Sequence, residues 1–162
     1  MKVMFVCTGN ICRSAMAEGI LKKIAIDKKL DLEVYSSGIY AEDGDNATYN
    51  AIYVARNYDI DISSHRATNI RNSKIDKMDI ILCATKSHKD AVIYMYPNLE
   101  GKVYTIKEYA ELDNNGKDID IRDPWGYDVE IYNNCILEIE RCIEEMINKE
   151  KFLLYIFLFL IY

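Results

Sequence analysis

The sequence predicts an α/β fold: a single three-layer domain whose four-stranded parallel sheet is covered by helices on both faces. Three observations carry this expectation. Short apolar runs alternate with segments of helical periodicity, the order that builds parallel sheets with helical crossovers. The chain opens with an apolar run, Val3-Met4-Phe5-Val6-Cys7, that breaks at Gly9-Asn10 and resumes with apolar residues at Ala17, Ile20, Leu21 and Ile24, which is strand, tight loop, helix. The last periodic stretch places Val129, Tyr132, Ile136, Ile139, Ile143 and Met146 at intervals of three to four, a long amphipathic helix.

In chain order, Val3 to Cys7 is the first strand, and Gly9 and Asn10 are the residue types that best tolerate positive φ. Ser14 is the natural N-cap of the helix that follows. Leu32-Glu33-Val34-Tyr35-Ser36 alternates as a second strand and turns at Ser37-Gly38. Asp45-Asn46 is placed to cap a helix over 47–58, with Ala51, Ile52, Val54, Ala55 and Tyr58 on or near one face. Asp79-Ile80-Ile81-Leu82-Cys83-Ala84 is a third, fully buried strand. A helix from about Ser87 must stop at Pro97, which lacks the N–H to continue it. Lys102-Val103-Tyr104-Thr105-Ile106 is the fourth strand, and the polar stretch around Asp113 to Asp118 is a surface loop before the final helix.

Composition narrows the function classes. At 162 residues, half hydrophobic and 28% charged, the chain is long enough to bury one respectable core. Its formal net charge of −6 argues against a nucleic-acid partner. Met1-Lys2 leads straight into a strand with no signal-peptide pattern, and five cysteines make no regular framework, so reduced thiols in a cytoplasmic protein are expected. With two histidines and no zinc-type cysteine spacing, neither a metal nor a cofactor is expected.

The opening loop carries the chemistry. Backbone N–H groups of a strand–loop–helix turn converge at a helix N-terminus and cradle an anion. Cys7 sits at the strand end beside that cradle, and Arg13 follows after five residues. Such electropositive settings bring a thiol from about 8.5 into roughly 3.5–7.5. The Arg13 guanidinium offers a planar fork for two oxygens of a tetrahedral oxyanion. Ser14 can donate to the sulfur, which matters when sulfur must leave as thiolate. A nucleophile of this kind needs an acid to protonate the departing atom. Asp123-Pro124-Trp125-Gly126 is the candidate source: Pro124 holds Asp123 extended, and the Trp125 ring is large enough to wall a pocket.

Cys7-Thr8-Gly9-Asn10-Ile11-Cys12-Arg13-Ser14 resembles the active-site loop of the low-molecular-weight protein tyrosine phosphatases, a fold shared with protein-arginine phosphatases and thioredoxin-coupled arsenate reductases. The resemblance covers about residues 2–147. It implies a phosphatase domain over 1–149 and leaves an apolar tail over 150–162 with no assigned role. It implies Cys7 as nucleophile, Arg13 as oxyanion fork and Asp123 as general acid, with Thr8, Gly9, Asn10, Ile11, Cys12, Ser14 and Trp125 around the substrate. By the same resemblance, Asn10 takes the left-handed conformation, Ser37 hydrogen-bonds it, His65 supports the same network, and Cys12 is the neighbour able to capture oxidised Cys7 as a disulfide. Phosphorylated proteins are the implied partners and a monomer the implied state.

The subgroup is decided on single positions. The arsenate reductases relay a disulfide through two further cysteines, one near Cys83 and one about seven residues on, where this chain has Asp90. An inactive phosphate-binding module would lack the nucleophile or the acid, and both are present. Ile11 is usual in tyrosine-type members, where arginine-type members tend to have threonine. Lys107-Glu108-Tyr109, the Asp123 loop followed by Ile131-Tyr132, and Ala84-Thr85 in place of a loop-supporting aspartate resemble the arginine-type branch. The pocket residue Ile11 weights the expectation toward phosphotyrosine, with phosphoarginine as the alternative. The stretch from Phe152 onward is uniformly apolar; as a helix it spans about 16 Å, short of the ~30 Å hydrocarbon core, so it does not cross a membrane though membrane contact stays open.

Overall fold

The computed structural model describes residues 1–152. Four strands, β1 (Lys2–Cys7), β2 (Glu33–Gly38), β3 (Ile80–Cys83) and β4 (Val103–Thr105), form one parallel sheet in the order β2-β1-β3-β4. The helices are α1 (Arg13–Asp27), α2 (Tyr49–Arg56), α3 (Lys86–Met95), α4 (Ile106–Ala110) and α5 (Val129–Asn148). The expected three-layer α/β architecture is the observed one.

The period-2 geometry of the strands divides the core in two. Val3, Phe5 and Cys7 of β1, with Ile80 and Leu82 of β3, face a layer that includes α1, α2, α4 and α5. Met4 and Val6, with Ile81 and Cys83, face the opposite layer with Val92 of α3, Ile70, Ile75 and Leu99. Helix α1 lies against the sheet on one side and α5 on the other, which is why Ala15, Met16, Ala17, Ile20 and Leu21 are all buried. A helix buried around so much of its circumference needs small residues where neighbours come close, and Ala15 and Ala17 supply them.

The caps explain the boundaries. Helix α2 is capped by the Thr48 hydroxyl, which accepts the Ala51 N–H at 3.3 Å, and not by the expected Asp45-Asn46. Those two residues precede it in a loop that pairs Asn46 with Arg66. Ser14 is likewise not the N-cap of α1: Cys12 holds that position without a side-chain cap, and Ser14 lies within the first turn. Its hydroxyl is thereby freed for the loop. Helix α4 was not expected; its signature is the capping box of Thr105 and Glu108, in which each side chain accepts the other's backbone N–H at 3.0 and 2.8 Å. Asp128 caps α5.

Past α5 the chain stays on the domain. Lys151 N–H donates to Met146 C=O at 3.0 Å, and Phe152, read as the start of the tail, is buried with its ring 6.2 Å from that of Tyr109. The rest of the tail, 153–162, lies outside the described residues. Among the described residues no helix is long and apolar enough to cross a membrane.

The carboxyl ends of β1 and β2 meet at one crowded point. A Cβ on Gly38 would stand 2.5 Å from the Thr8 carbonyl oxygen and 2.8 Å from the Asn10 nitrogen. Both are backbone atoms of the loop after β1 and cannot swing aside. Gly38→Ala is therefore expected to push that loop out of shape, costing about 1–3 kcal/mol in a urea melt and lowering affinity for inorganic phosphate. A variant with unchanged stability and phosphate affinity would show that the loop yields freely.

Candidate active site

The loop between β1 and α1 closes around Asn10, which has φ of 56° and is fully buried. Every polar atom of its side chain is used. Nδ2 donates to Ser14 Oγ and to Ser36 Oγ, both at 2.8 Å, and Oδ1 accepts the Thr68 N–H at 2.9 Å. His65 Nε2 donates to the Asn10 carbonyl at 2.7 Å. The Ser36 hydroxyl in turn donates to Glu18, whose carboxylate also lies 3.8 Å from His65 Nδ1.

Ser36 here holds the role expected of Ser37. The reason is register: Ser36 pairs with Phe5 and shares its face toward α1, whereas Ser37 pairs with Val6 and points to the other layer. Its hydroxyl donates to Met4 Sδ at 3.2 Å. Asn10 and His65 are brought together as expected, and Ser37 is not part of the network.

Cys7 lies at the end of β1, buried, with Sγ 2.9 Å from Ser14 Oγ. Because Ser14 Oγ already accepts from Asn10, its own proton is directed at the sulfur. Arg13 is buried in the first turn of α1. Nη1 donates to the Ile121 carbonyl at 3.1 Å, and Nη2 lies 3.2 Å from Asp123 Oδ2. Among the described residues Nε has no hydrogen-bond partner although it is buried. A buried guanidinium N–H beside a loop of backbone amides is suited to an oxyanion.

Cys12 lies next to Arg13 and points away into the core. Its Sγ is 3.2 Å from Tyr132 Oη and 3.5 Å from Thr48 Oγ1, and burial pushes its thiol up. All five cysteines are free thiols.

Asp123 and Trp125 arrive on the segment between α4 and α5. Asp123 is half exposed, and its Oδ1 accepts the Trp125 N–H at 3.1 Å. That segment is tied to the sheet where it passes β3: Ile121 N–H donates to Ala84 C=O at 2.8 Å, and Asp120 accepts the Lys86 N–H at 2.7 Å. Lys107 of α4, nearly buried, holds it from the other side through Asp118 at 2.6 Å and is itself paired with Glu138 of α5 at 2.6 Å. The resulting cavity of about 310 Å³ is lined by Cys7, Thr8, Gly9, Ile11, Cys12, Arg13, Asp123 and Trp125, together with Tyr40, Glu42 and Asp45.

Several of these residues carry no local signal in the sequence. Tyr40 and Glu42 read as an ordinary polar loop, Asp45 reads as a helix cap, and Glu18 reads as a surface residue of α1. His88 is the largest omission. Its Nε2 lies 2.8 Å from Thr8 Oγ1 and its Nδ1 2.8 Å from Thr85 Oγ1. Thr85, which replaces an expected aspartate, thus supports the loop through His88. Among the described residues no group of three or more His, Cys, Asp or Glu is placed to hold a metal ion.

A thiol, a buried arginine and converging amides at the carboxyl end of a parallel sheet define a cysteine phosphatase of the α/β class. Residues 2–151 match the family model described as "Low molecular weight phosphotyrosine protein phosphatase", and the chain belongs to that family. It is 34% identical over 149 residues to a protein-arginine-phosphatase of Geobacillus stearothermophilus, covering 91% of this chain and 95% of the relative. It is 32% identical over 152 residues to the low molecular weight protein-tyrosine-phosphatase PtpB of Staphylococcus epidermidis, covering 94% and 98%. The crystal structure of the low molecular weight protein tyrosine phosphatase from T. tengcongensis superposes with a TM-score of 0.85 at 38% identity, covering 92% of this chain and 99% of that one.

Burial, then the positive charge of Arg13, lowers His88 from its ordinary 6.5 to about 4. Between those two values the unfolded chain binds a proton that the folded protein refuses, so stability falls as pH drops from 6.5 toward 4. Urea midpoints measured across this range should decline less steeply in His88→Gln than in the parent. Parallel curves would show that the ring protonates without cost.

Proposed function

We propose that the protein hydrolyses phosphotyrosine in protein substrates through a phosphocysteine intermediate. The observation that carries the mechanism is the pairing of Cys7 Sγ with a proton-directed Ser14 hydroxyl beside the partnerless Arg13 Nε. The loop amides and the Arg13 fork bind the phosphoryl oxygens, and the Cys7 thiolate attacks phosphorus from within the cradle. As the S–P bond forms, the P–O bond to the leaving group breaks, and Asp123 gives that oxygen its proton. Water then attacks the phosphocysteine, Asp123 takes a proton from it, and sulfur departs as a thiolate accepting from Ser14. The roles of Gly9, Asn10 and Cys12 are to hold the cradle's shape.

Ile11 and Trp125 support the choice of an aryl substrate, since both line the mouth of the cavity and offer apolar surface to a ring. Phosphoarginine is the second reading. It is favoured by Glu42 and Asp45, exposed carboxylates on the same rim that suit a guanidinium, and by relatives named protein-arginine-phosphatases. The five free thiols support action in the reducing cytoplasm.

Asp123→Asn is expected to slow phenyl phosphates with poor leaving groups far more than those with good ones, as measured across a leaving-group series. Equal losses throughout would remove Asp123 as the acid. Cys7→Ser should abolish turnover, and hydrolysis surviving in that variant would end the phosphocysteine mechanism.

For specificity, kcat/KM on phosphotyrosine and phosphoarginine peptides is the deciding measurement. The parent should prefer phosphotyrosine, and Ile11→Thr should move the ratio toward phosphoarginine by roughly 10–200-fold. A parent that already prefers phosphoarginine would make the carboxylate rim, and not Ile11, the determinant.

A further inference from the structure

Thr8 follows the nucleophile in sequence, and its exposed side chain stands at the mouth of the cavity. Behind it lies the His88 ring, buried, at 2.8 Å from Thr8 on one side and 2.8 Å from Thr85 on the other. The two bonds run in one direction, set by the tautomer of the ring, and Thr85 favours one of the two. As N-cap of α3, its Oγ1 already accepts the His88 backbone N–H at 3.2 Å. Its own proton has Nδ1 within reach at 2.8 Å, and donating there makes Nδ1 the acceptor. A neutral ring that accepts at Nδ1 carries its proton on Nε2 and donates it to Thr8 Oγ1. A hydroxyl oxygen engaged in this way keeps its own proton for a further acceptor, and the cavity holding Cys7 and Arg13 is what Thr8 faces.

We propose that Thr85 and His88 form a one-directional hydrogen-bond chain that aims the Thr8 O–H into the pocket, where it donates to a phosphoryl oxygen of the substrate. Thr8 then contacts substrate through its side chain, and His88 is a positioning residue that acts through it. The inference rests on the phosphatase reading above. The chain needs a lone pair on Nδ1, and burial together with the nearby Arg13 keeps the ring neutral at pH 7. It also gives a purpose to a buried histidine that is otherwise outside the Asn10 network and the acid loop.

The test has two arms. The chain has only two histidines, so nitrogen NMR of histidine-labelled protein at pH 7 reports both rings, with His88→Gln making the assignment. The expected state of His88 is a protonated Nε2 and a bare Nδ1; a proton on Nδ1 overturns the proposal. This arm needs no turnover, so it stands apart from any failure of the phosphatase reading, which Cys7→Ser tests. In the second arm, Thr8→Val and His88→Phe should each lower kcat/KM by about tenfold, the size expected for one hydrogen bond to a charged group. The double variant should lose no more than either single, and Thr8→Ser should restore most of the activity. Because Thr8 is exposed, its replacement tests the donor without disturbing the core. Full activity in Thr8→Val, or losses that multiply to roughly a hundredfold in the double variant, would overturn the proposal.

Discussion

The whole site depends on one buried amide. Asn10 holds a left-handed backbone conformation in the middle of the phosphate-type loop, and four hydrogen bonds to its side chain and carbonyl hold it there. A non-glycine residue at positive φ is strained unless its surroundings over-determine it. Here they do: partners come from α1, from β2, and from the segment containing His65 and Thr68. With Asn10 so held, Ser14 Oγ accepts from its amide and lies 2.9 Å from Cys7 Sγ. Any loss among these partners would leave a buried polar group without a bond, which costs far more than the bond itself contributes.

The sheet makes this arrangement possible. With β1 at an interior position, its carboxyl end is flanked by the ends of β2 and β3, so residues from both neighbours reach the loop. Ser36 arrives from β2, and Thr85 and His88 arrive just after β3. The alternation of faces along β1 sends Phe5 into the layer of α1 and α5 and Val6 into the layer of α3. Two separate cores therefore clamp the strand that ends in Cys7. Cys7 ends a strand that is buried at every position but its first.

What was legible in the sequence follows from where each determinant lies. Cys7, Asn10, Arg13 and Ser14 fall within one loop, so their spacing alone announces an oxyanion cradle, and Asp123 stands out through Pro124 and Trp125. The strands declare themselves through apolar runs and α5 through its periodicity. Ser36 and Ser37, by contrast, are adjacent and chemically identical, and only the pairing of β2 with β1 decides which one faces Asn10. His88 lies 80 residues from the threonine it touches, a distance over which no local pattern speaks. Ser14 was misleading as a cap because its hydroxyl has a better partner in Cys7. Short helix α4 was legible in principle, since Thr105 and Glu108 have capping-box spacing, but the apolar strand before it masks the boundary.

Arg13 ties two functions of the molecule together. One arm of its guanidinium is held by the Ile121 carbonyl and another lies against Asp123, both on the segment that joins α4 to α5. An oxyanion entering the cradle would meet an arginine whose orientation is maintained by the very segment that carries Asp123. Binding and loop order are thus thermodynamically linked, and linkage is reciprocal. Whatever secures residues 120–125 tightens the hold on the oxyanion, and an oxyanion in the cradle steadies those residues in return.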